Sequence, residues 1–133
     1  MIQKITITLA AFIRGLFRRV RQAPSNPKRI AVAQMGRLGD MVCTTPVFRV
    51  LKEKYPECKI TVIGMSRNAE LLKGHPYIDL YLPYSGNVWK LARFLRKSQI
   101  DVAILCGPHG LVLAAMLVAA IPLIVAPKVV GGF

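Results

Sequence analysis

A single carboxylate, Asp40, lies in a glycine-bearing turn and is placed to act on a group bound beside it. The surrounding stretch, residues 29–55, reads RIAVAQMGRLGDMVCTTPVFRVLKEKY, an apolar run followed by the turn and then by an amphipathic pattern. A strand that leads through a tight turn into a helix N-terminus is where open α/β sheets bind ligands. Thr45 and Pro46 predict the start of this helix, with threonine as the N-cap and proline in the first helical position. Asp40 would then be free to act on a ligand; the alternative is that the helix begins earlier and Asp40 only caps it.

The turn contains two glycines, Gly36 and Gly39, which let a ligand approach the main chain closely. They do not form a dinucleotide fingerprint, because the third glycine of that motif is missing. They do not form a phosphate-binding loop either, since no Gly-Lys-Ser or Gly-Lys-Thr follows. The turn therefore predicts a ligand site without identifying the ligand.

Strand and helix patterns alternate from Lys28 onward and would position this turn. Strands are predicted at residues 29–34, 59–64, 79–82, 101–106 and 123–126, and helices at residues 46–54, 68–73, 87–97 and 111–120. This alternation indicates βαβ units and a parallel sheet covered on both faces, so the predicted fold class is α/β and Rossmann-like.

The stretch from residue 111 to residue 126 contains sixteen uncharged residues and could be mistaken for a membrane span. As a helix it would be about 24 Å long, which is shorter than the roughly 30 Å hydrocarbon layer of a bilayer. Pro122 would also interrupt it near one end. We therefore expect a buried helix followed by a buried strand.

The composition suits one folded domain with an anionic partner. The chain has 133 residues, of which 53% are apolar, and 19 Lys and Arg against 6 Asp and Glu leave a formal charge of +13. Such an excess indicates nucleic acid, an acidic membrane surface or a phosphorylated substrate. Nucleic acid is disfavoured, because the chain has neither a recognition-helix motif nor an aromatic stacking platform. The cysteines, Cys43, Cys58 and Cys106, lack paired metal-ligand spacing, so we expect free thiols in a reducing compartment.

The N-terminal segment, residues 1–27, is predicted to be separate from the domain. Apolar residues recur at three- and four-residue spacing within residues 1–23, and basic residues occupy the opposite face. This basic amphipathic pattern is typical of a helix that lies on an anionic membrane surface; the alternative is that it packs on the domain itself. Residues 24–27, Pro-Ser-Asn-Pro, form a short linker.

The run GDMVCTTPVFRVL, residues 39–51, followed by Tyr55-Pro56, resembles the start of glycosyltransferase family 9, which includes the lipopolysaccharide heptosyltransferases. The segments Ile60-Thr61-Val62, residues 69–72 and residues 75–79 are similar to that family as well. The resemblance covers residues 28–133 and implies a GT-B architecture, in which two Rossmann-like domains face a cleft. Residues 28–133 would be the acceptor-side domain. We expect the second, donor-binding domain to be absent from these residues, which leaves open whether the chain is a fragment or a half enzyme.

The resemblance implies inverting transfer of a heptose or related sugar from a nucleoside-diphosphate sugar, above all ADP-heptose, to a lipopolysaccharide-core or similar anionic glycolipid. It assigns Asp40 the role of general base and implies neither a cofactor nor a metal. The residues expected to bind the acceptor are Gly36, Arg37, Gly39, Thr44, Thr45, Arg67 and His109. The enzyme would be cytoplasmic and peripheral on the inner face of the bacterial plasma membrane.

One departure from the family and two competing functions accompany this hypothesis. The chain has Cys106-Gly107-Pro108 where the family often carries an Asp and a Gly at the end of the fourth strand.

A non-catalytic membrane-surface module of the same fold is the main alternative. A nucleotide-cofactor oxidoreductase is less favoured, because Met65, Ser66 and Arg67 follow the second strand in place of an acidic residue.

Overall fold

A five-stranded parallel sheet forms the centre of the computed structural model, which describes residues 24–127. The strands are β1 (Arg29–Gln34), β2 (Lys59–Gly64), β3 (Leu80–Pro83), β4 (Val102–Leu105) and β5 (Leu123–Val125), and their order across the sheet is β3-β2-β1-β4-β5. The helices are α1 (Leu38–Lys54), α2 (Val88–Lys97) and α3 (Gly110–Val118), and two short 3-10 turns lie at Ser66–Asn68 and Glu70–Leu72. The predicted α/β, Rossmann-like class is confirmed. The amphipathic helix predicted for residues 1–23 lies outside the described residues.

The helices cover both faces of the sheet because side chains alternate along each strand. Ile30 and Val32 of β1 face the cluster that contains Met41 and Phe48 of α1. The intervening alanines of β1, with Leu105 of β4, face a second cluster formed by α2 and α3. α1 and α3, which follow the adjacent strands β1 and β4, therefore lie on opposite faces of the sheet.

Helix α1 begins at Leu38, so the prediction that Thr45 caps a helix starting at Pro46 is wrong. The first turn forms early because the Asp40 carboxylate accepts a hydrogen bond from the N–H of Arg37, the N-cap residue, at 2.9 Å. Pro46 therefore lies inside the helix and cannot donate to the Val42 carbonyl four residues earlier. The Thr45 hydroxyl donates to that same carbonyl at 2.7 Å instead. The Thr45 hydroxyl thus bonds to the carbonyl that the proline leaves without a main-chain donor.

Two further elements differ from their predicted form. The helix predicted at residues 68–73 consists of 3-10 turns, and β5 is a partly exposed edge strand. The apolar stretch from residue 111 does fold as a helix and a strand, with Val112, Ala115 and Met116 buried. Within residues 24–127, no helix has the length and apolar character needed to cross a bilayer.

Two aspartates hold the amino edge of the sheet, where the strands begin. Asp101 Oδ2 accepts from the main-chain N–H groups of Lys28 and Arg29 at 2.8 and 3.0 Å. Asp79 Oδ2 accepts from the Ile60 N–H at 2.8 Å and from Lys52 Nζ at 2.9 Å. Partial burial acts to raise the pKa of Asp79, but the Ile60 hydrogen bond and the Lys52 ammonium outweigh it, so this pKa lies below its usual range.

Candidate functional site

A cleft of about 330 Å³ opens at the carboxyl edge of the sheet, between the ends of β1 and β4. One wall comes from the segment after β1 and the other from residues 106–109 after β4. Because α1 and α3 leave these two strands toward opposite faces, the chain parts here and leaves a crevice. The lining residues are Gln34, Met35, Gly36, Asp40, Cys106, Gly107, Pro108 and His109.

Asp40 lies in the first turn of α1 and lines the cleft with an exposed side chain. Its Oδ2 accepts from the Arg37 N–H, so the prediction that Asp40 is not needed as a cap is wrong: the helix begins earlier and Asp40 caps it. Within residues 24–127, the hydrogen bond to the Asp40 carboxylate is made to Oδ2, so Oδ1 can accept one from a bound group. The partial positive charge of a helix N-terminus also favours a carboxylate in this turn. The cap therefore orients the side chain while leaving acceptor capacity for a ligand.

Gly36 is required by the position of that carboxyl group. A Cβ atom at residue 36 would lie 2.7 Å from Asp40 Cβ and 2.8 Å from Asp40 Cγ, distances that non-bonded carbon atoms do not adopt. The Asp40 side chain thus packs directly on the main chain of the turn. By contrast, a Cβ atom at Gly39 would meet nothing within 4 Å.

Gln34, which the sequence analysis missed, connects the end of β1 to α1. Its side chain is buried, its Nε2 donates to Thr44 Oγ1 at 3.0 Å, and its Oε1 accepts from the Gly36 N–H at 3.0 Å. Thr44 Oγ1 in turn donates to the Asp40 carbonyl at 2.9 Å. The signal that could have indicated Gln34 is a polar residue at the end of an otherwise apolar strand.

The predicted acceptor-binding residues fall into three groups in space. Gly36 and His109 line the cleft together with Asp40. Thr44 and Thr45 bond to main-chain carbonyls of α1, and Thr44 is buried. Three lie outside the cleft lining with exposed surfaces: Arg37, Gly39 and Arg67. No observation tests their contact with an acceptor, so these assignments stay predictions.

His109 caps α3 on the wall opposite Asp40. Its Nδ1 accepts from the Val112 N–H at 3.2 Å, which places the ring proton of the neutral form on Nε2. The edge of its ring packs against Tyr84, with 5.8 Å between the ring centroids. His109 is therefore fixed in orientation and can offer an N–H to a ligand.

The Cys106 thiol at this cleft is poorly suited to act as a nucleophile. Burial raises the pKa of the Cys106 thiol, which disfavours the thiolate needed for a nucleophile. Residues 24–127 contain no group of three His, Cys, Asp or Glu side chains that could hold a metal ion. The cysteines of the domain are free, with Cys43 exposed and Cys58 buried. The groups that line the cleft with capacity for a ligand are the Asp40 carboxylate and the His109 ring N–H.

Neither models of known protein families nor curated proteins match the sequence. Among solved structures, the chain is similar to a glycosyl transferase family 9 protein from Veillonella parvula, with 23% identity and a TM-score of 0.62. It is similar to the E. coli ADP-heptose lps heptosyltransferase II, with 26% identity and a TM-score of 0.65.

These two similarities cover 73% and 74% of this chain but only 31% and 30% of the solved structures. The chain therefore spans about a third of the length of the proteins it matches, and it includes one Rossmann-like sheet. The resemblance to glycosyltransferase family 9 that the sequence predicts is confirmed in the fold of this chain.

Proposed function

We propose that this chain is the acceptor-side part of a glycosyltransferase that moves a heptose or related sugar, with inversion, from a nucleoside-diphosphate sugar to an anionic glycan. The observation that carries the proposal is the exposed Asp40 carboxylate, oriented by its own helix cap at the cleft between β1 and β4. The 26% identity to an ADP-heptose heptosyltransferase supports the reaction class and favours ADP-heptose as the donor.

In the proposed reaction Asp40 acts as the general base. Its carboxylate takes the proton of the acceptor hydroxyl while that oxygen forms a bond to the anomeric carbon of the donor sugar. The bond from this carbon to the nucleoside diphosphate breaks on the opposite side, so the configuration inverts. His109 Nε2–H, across the cleft, would donate a hydrogen bond to an oxygen of the acceptor. No metal or cofactor takes part in this scheme.

The charge at the start of α1 favours an acceptor hydroxyl over the donor diphosphate at this position. Rossmann folds commonly hold a diphosphate at the helix N-terminus after the first strand. Here the first turn of α1 already contains the Asp40 carboxylate, whose negative charge repels phosphate oxygens. A neutral hydroxyl meets no such repulsion, so we assign the acceptor to this cleft and the diphosphate to another part of the enzyme.

Exposed cations near the cleft fit a phosphorylated acceptor. Arg37 precedes α1 and Arg67 lies in the 3-10 turn after β2, and both are exposed. Their guanidinium groups can bind phosphate oxygens in a bidentate manner. We propose that they attract the anionic part of the acceptor, whereas Gly36 and Gly39 allow its approach to the main chain.

A peripheral position on the cytoplasmic face of the plasma membrane completes the proposal. The basic amphipathic pattern of residues 1–23 and the charge of +13 suit an anionic lipid surface. An exposed stripe on α1, formed by Leu38, Val42 and Val50, also favours the second candidate, a non-catalytic module that only binds membranes. Binding to anionic vesicles that is reversed by salt, without any sugar transfer, would select this second candidate.

The test is donor- and acceptor-dependent transfer by the full-length protein. The purified protein is incubated with ADP-heptose and a phosphorylated lipopolysaccharide-core acceptor, and the released ADP and the glycosylated product are both measured. ADP-glucose serves as the matched donor control, and a dephosphorylated acceptor serves as the control for the proposed cationic contacts. We expect product only when donor and acceptor are both present, and less product with the dephosphorylated acceptor. Absence of product with every pair contradicts the proposed function.

A further inference from the structure

Asn68 is the most deeply buried polar side chain near the cleft, and neither the motif nor the cleft lining includes it. Its exposed fraction is 0%, and it ends the 3-10 turn after β2. Its Nδ2 donates to the carbonyl of Gly36 at 3.2 Å, across 32 positions of sequence. The orientation of the amide follows from chemistry, because a carbonyl oxygen accepts and only the NH2 group can face it.

The other half of the same amide is unpaired. Asn68 Oδ1 is buried and has no hydrogen-bond partner within residues 24–127. A buried polar group that leaves half of its bonding capacity unused is unfavourable for folding. The only side-chain bond recorded for Asn68 in this region goes to the turn that precedes Asp40.

The main chain of Gly36 is held from both sides by buried amides. Its N–H donates to Gln34 Oε1 at 3.0 Å, and its carbonyl accepts from Asn68 Nδ2. The Asp40 carboxyl group packs on this same glycine. The bond to Gln34 is local, since it spans two residues. The bond from Asn68 connects the turn after β1 to the 3-10 turn after the neighbouring strand β2.

The turn that contains Asn68 is itself braced against the sheet. Tyr81 of β3 donates its hydroxyl to the Met65 carbonyl at 2.6 Å, and the Asn68 N–H donates to that carbonyl at 3.0 Å. Burial raises the pKa of Tyr81, so its hydroxyl remains a donor. A continuous series of hydrogen bonds thus leads from β3 through Met65 and Asn68 to Gly36.

We infer that Asn68 is a positioning residue, which holds the Gly36 peptide and thereby fixes where the Asp40 carboxylate meets the acceptor hydroxyl. This inference rests on the proposed function for its effect on transfer, but the structural part stands independently. The buried side chain does not reach a ligand, so its effect passes through Gly36 and Asp40. Small displacements of a catalytic group can reduce turnover about a hundredfold.

The experiment uses the full-length protein with N68A and with N87A as the matched control. Asn87 also accepts a main-chain N–H, that of Lys90 at 3.0 Å, but it caps α2 outside the cleft lining. Amide hydrogen exchange is measured at Arg37, whose N–H bonds to Asp40, and at Val32 in β1. We expect N68A to speed exchange at Arg37 about tenfold while Val32 is unaffected, and N87A to leave both unchanged.

Kinetics of transfer form the second arm. We expect kcat of N68A to fall about 10- to 100-fold with the donor KM within about twofold, and kcat of N87A to stay at the original value. If N68A does not fold, Y81F takes its place. Y81F removes only the hydrogen bond to the Met65 carbonyl, so Arg37 exchange should rise and kcat should fall, both by less than expected for N68A.

Unchanged exchange at Arg37 in N68A overturns the inference, and so does exchange that rises equally at Val32, which indicates a general loss of stability. A normal kcat in N68A with faster Arg37 exchange also overturns it. If the unsubstituted protein transfers no sugar, the proposed function fails, and the exchange arm still decides whether Asn68 holds the turn.

Discussion

Aspartates lie at both edges of the sheet, but their carboxylates have different roles. At the amino edge, Asp101 bonds to main-chain groups 72 and 73 positions away, and Asp79 bonds to Ile60 and Lys52, 19 and 27 positions away. At the carboxyl edge, the Asp40 carboxylate bonds to the N–H of Arg37, three positions away. A carboxylate that joins distant segments supports the fold, whereas one that caps its own helix can be altered without separating the strands.

If cavity size alone identified a functional site, the amino edge of the sheet would be the candidate. The amino edge has a groove of about 550 Å³, larger than the 330 Å³ cleft beside Asp40. However, several of its polar side chains are already engaged: Asp101 with the main chain, Arg29 with Gln99, and Arg96 with the Val118 carbonyl. A site for chemistry needs side chains with acceptor or donor capacity left over, and the smaller cleft has them.

The largest expected difference between the two edges concerns activity. Replacing Asp40 by Asn should lower kcat about 10²- to 10⁴-fold, because an amide cannot take the hydroxyl proton. Glu53→Gln is the matched control, since Glu53 is an exposed carboxylate on the same helix and pairs with Arg49. The measurement is kcat with saturating donor, together with thermal unfolding of both variants. Near-normal turnover of D40N would remove the base assignment.

The second prediction concerns the space beside the carboxylate. Gly36→Ala should destabilise the protein by about 1–3 kcal/mol and reduce transfer, because the new Cβ would overlap Asp40. Gly39→Ala meets no neighbour in the first turn of α1, so it should stabilise by about 0.5–1 kcal/mol. Urea unfolding measures both values. Equal effects of the two alanines would contradict the packing of Asp40 on Gly36.

The third prediction concerns the proline inside the helix that presents Asp40. Thr45→Val should cost about 1 kcal/mol, because the Val42 carbonyl loses its hydroxyl partner. With Pro46→Ala already present, the same change should cost much less, since the alanine N–H can bond to Val42. The four proteins of this double-mutant cycle are compared by urea unfolding. An identical cost in both backgrounds would show that Thr45 does not compensate for Pro46.

The smallest effect is expected at the amino edge and depends on pH. The pKa of Asp79 is lower in the folded protein than its ordinary value of 3.8, so its contribution is present above that value and is lost as pH falls through the folded pKa. Because the Asp79 side chain is 36% exposed, screening keeps this contribution below about 1 kcal/mol. Asp79→Asn should therefore destabilise at pH 7 and converge with the original protein at low pH, while transfer stays unchanged. Urea unfolding at several pH values tests this, and a constant difference at all pH values would contradict it.

Local patterns were enough to predict most of the fold. The predicted bounds of β1 and β2 agree with the structure, because runs of apolar residues between turn residues depend on near neighbours. The start of α1 was not predicted correctly. Proline is most favourable at a first helical position, so the sequence favoured Pro46 as the start, whereas in the structure Pro46 lies inside the helix and Thr45 bonds to the Val42 carbonyl.

The residues of the candidate site also divide into those that the sequence predicted and those that it did not. Asp40, Gly36 and His109 were identified from sequence because they lie in turns that follow predicted strands, and the order of strands brings such turns to one edge. Gln34 and Asn68 were missed. Asn68 follows a strand like many other polar residues, and nothing local shows that its amide reaches Gly36.

The sequence by itself therefore determined the alternation of strands and helices, the parallel sheet and the turn that contains the carboxylate, since these depend on side-chain periodicity and turn chemistry. Tertiary structure alone decided which polar groups face each other across the cleft and which are engaged elsewhere. The reason is physical: β2 lies beside β1 in the sheet, and this arrangement brings Asn68 within 3.2 Å of a carbonyl 32 residues earlier. Contacts of that kind depend on packing between distant segments, which no short stretch of sequence contains.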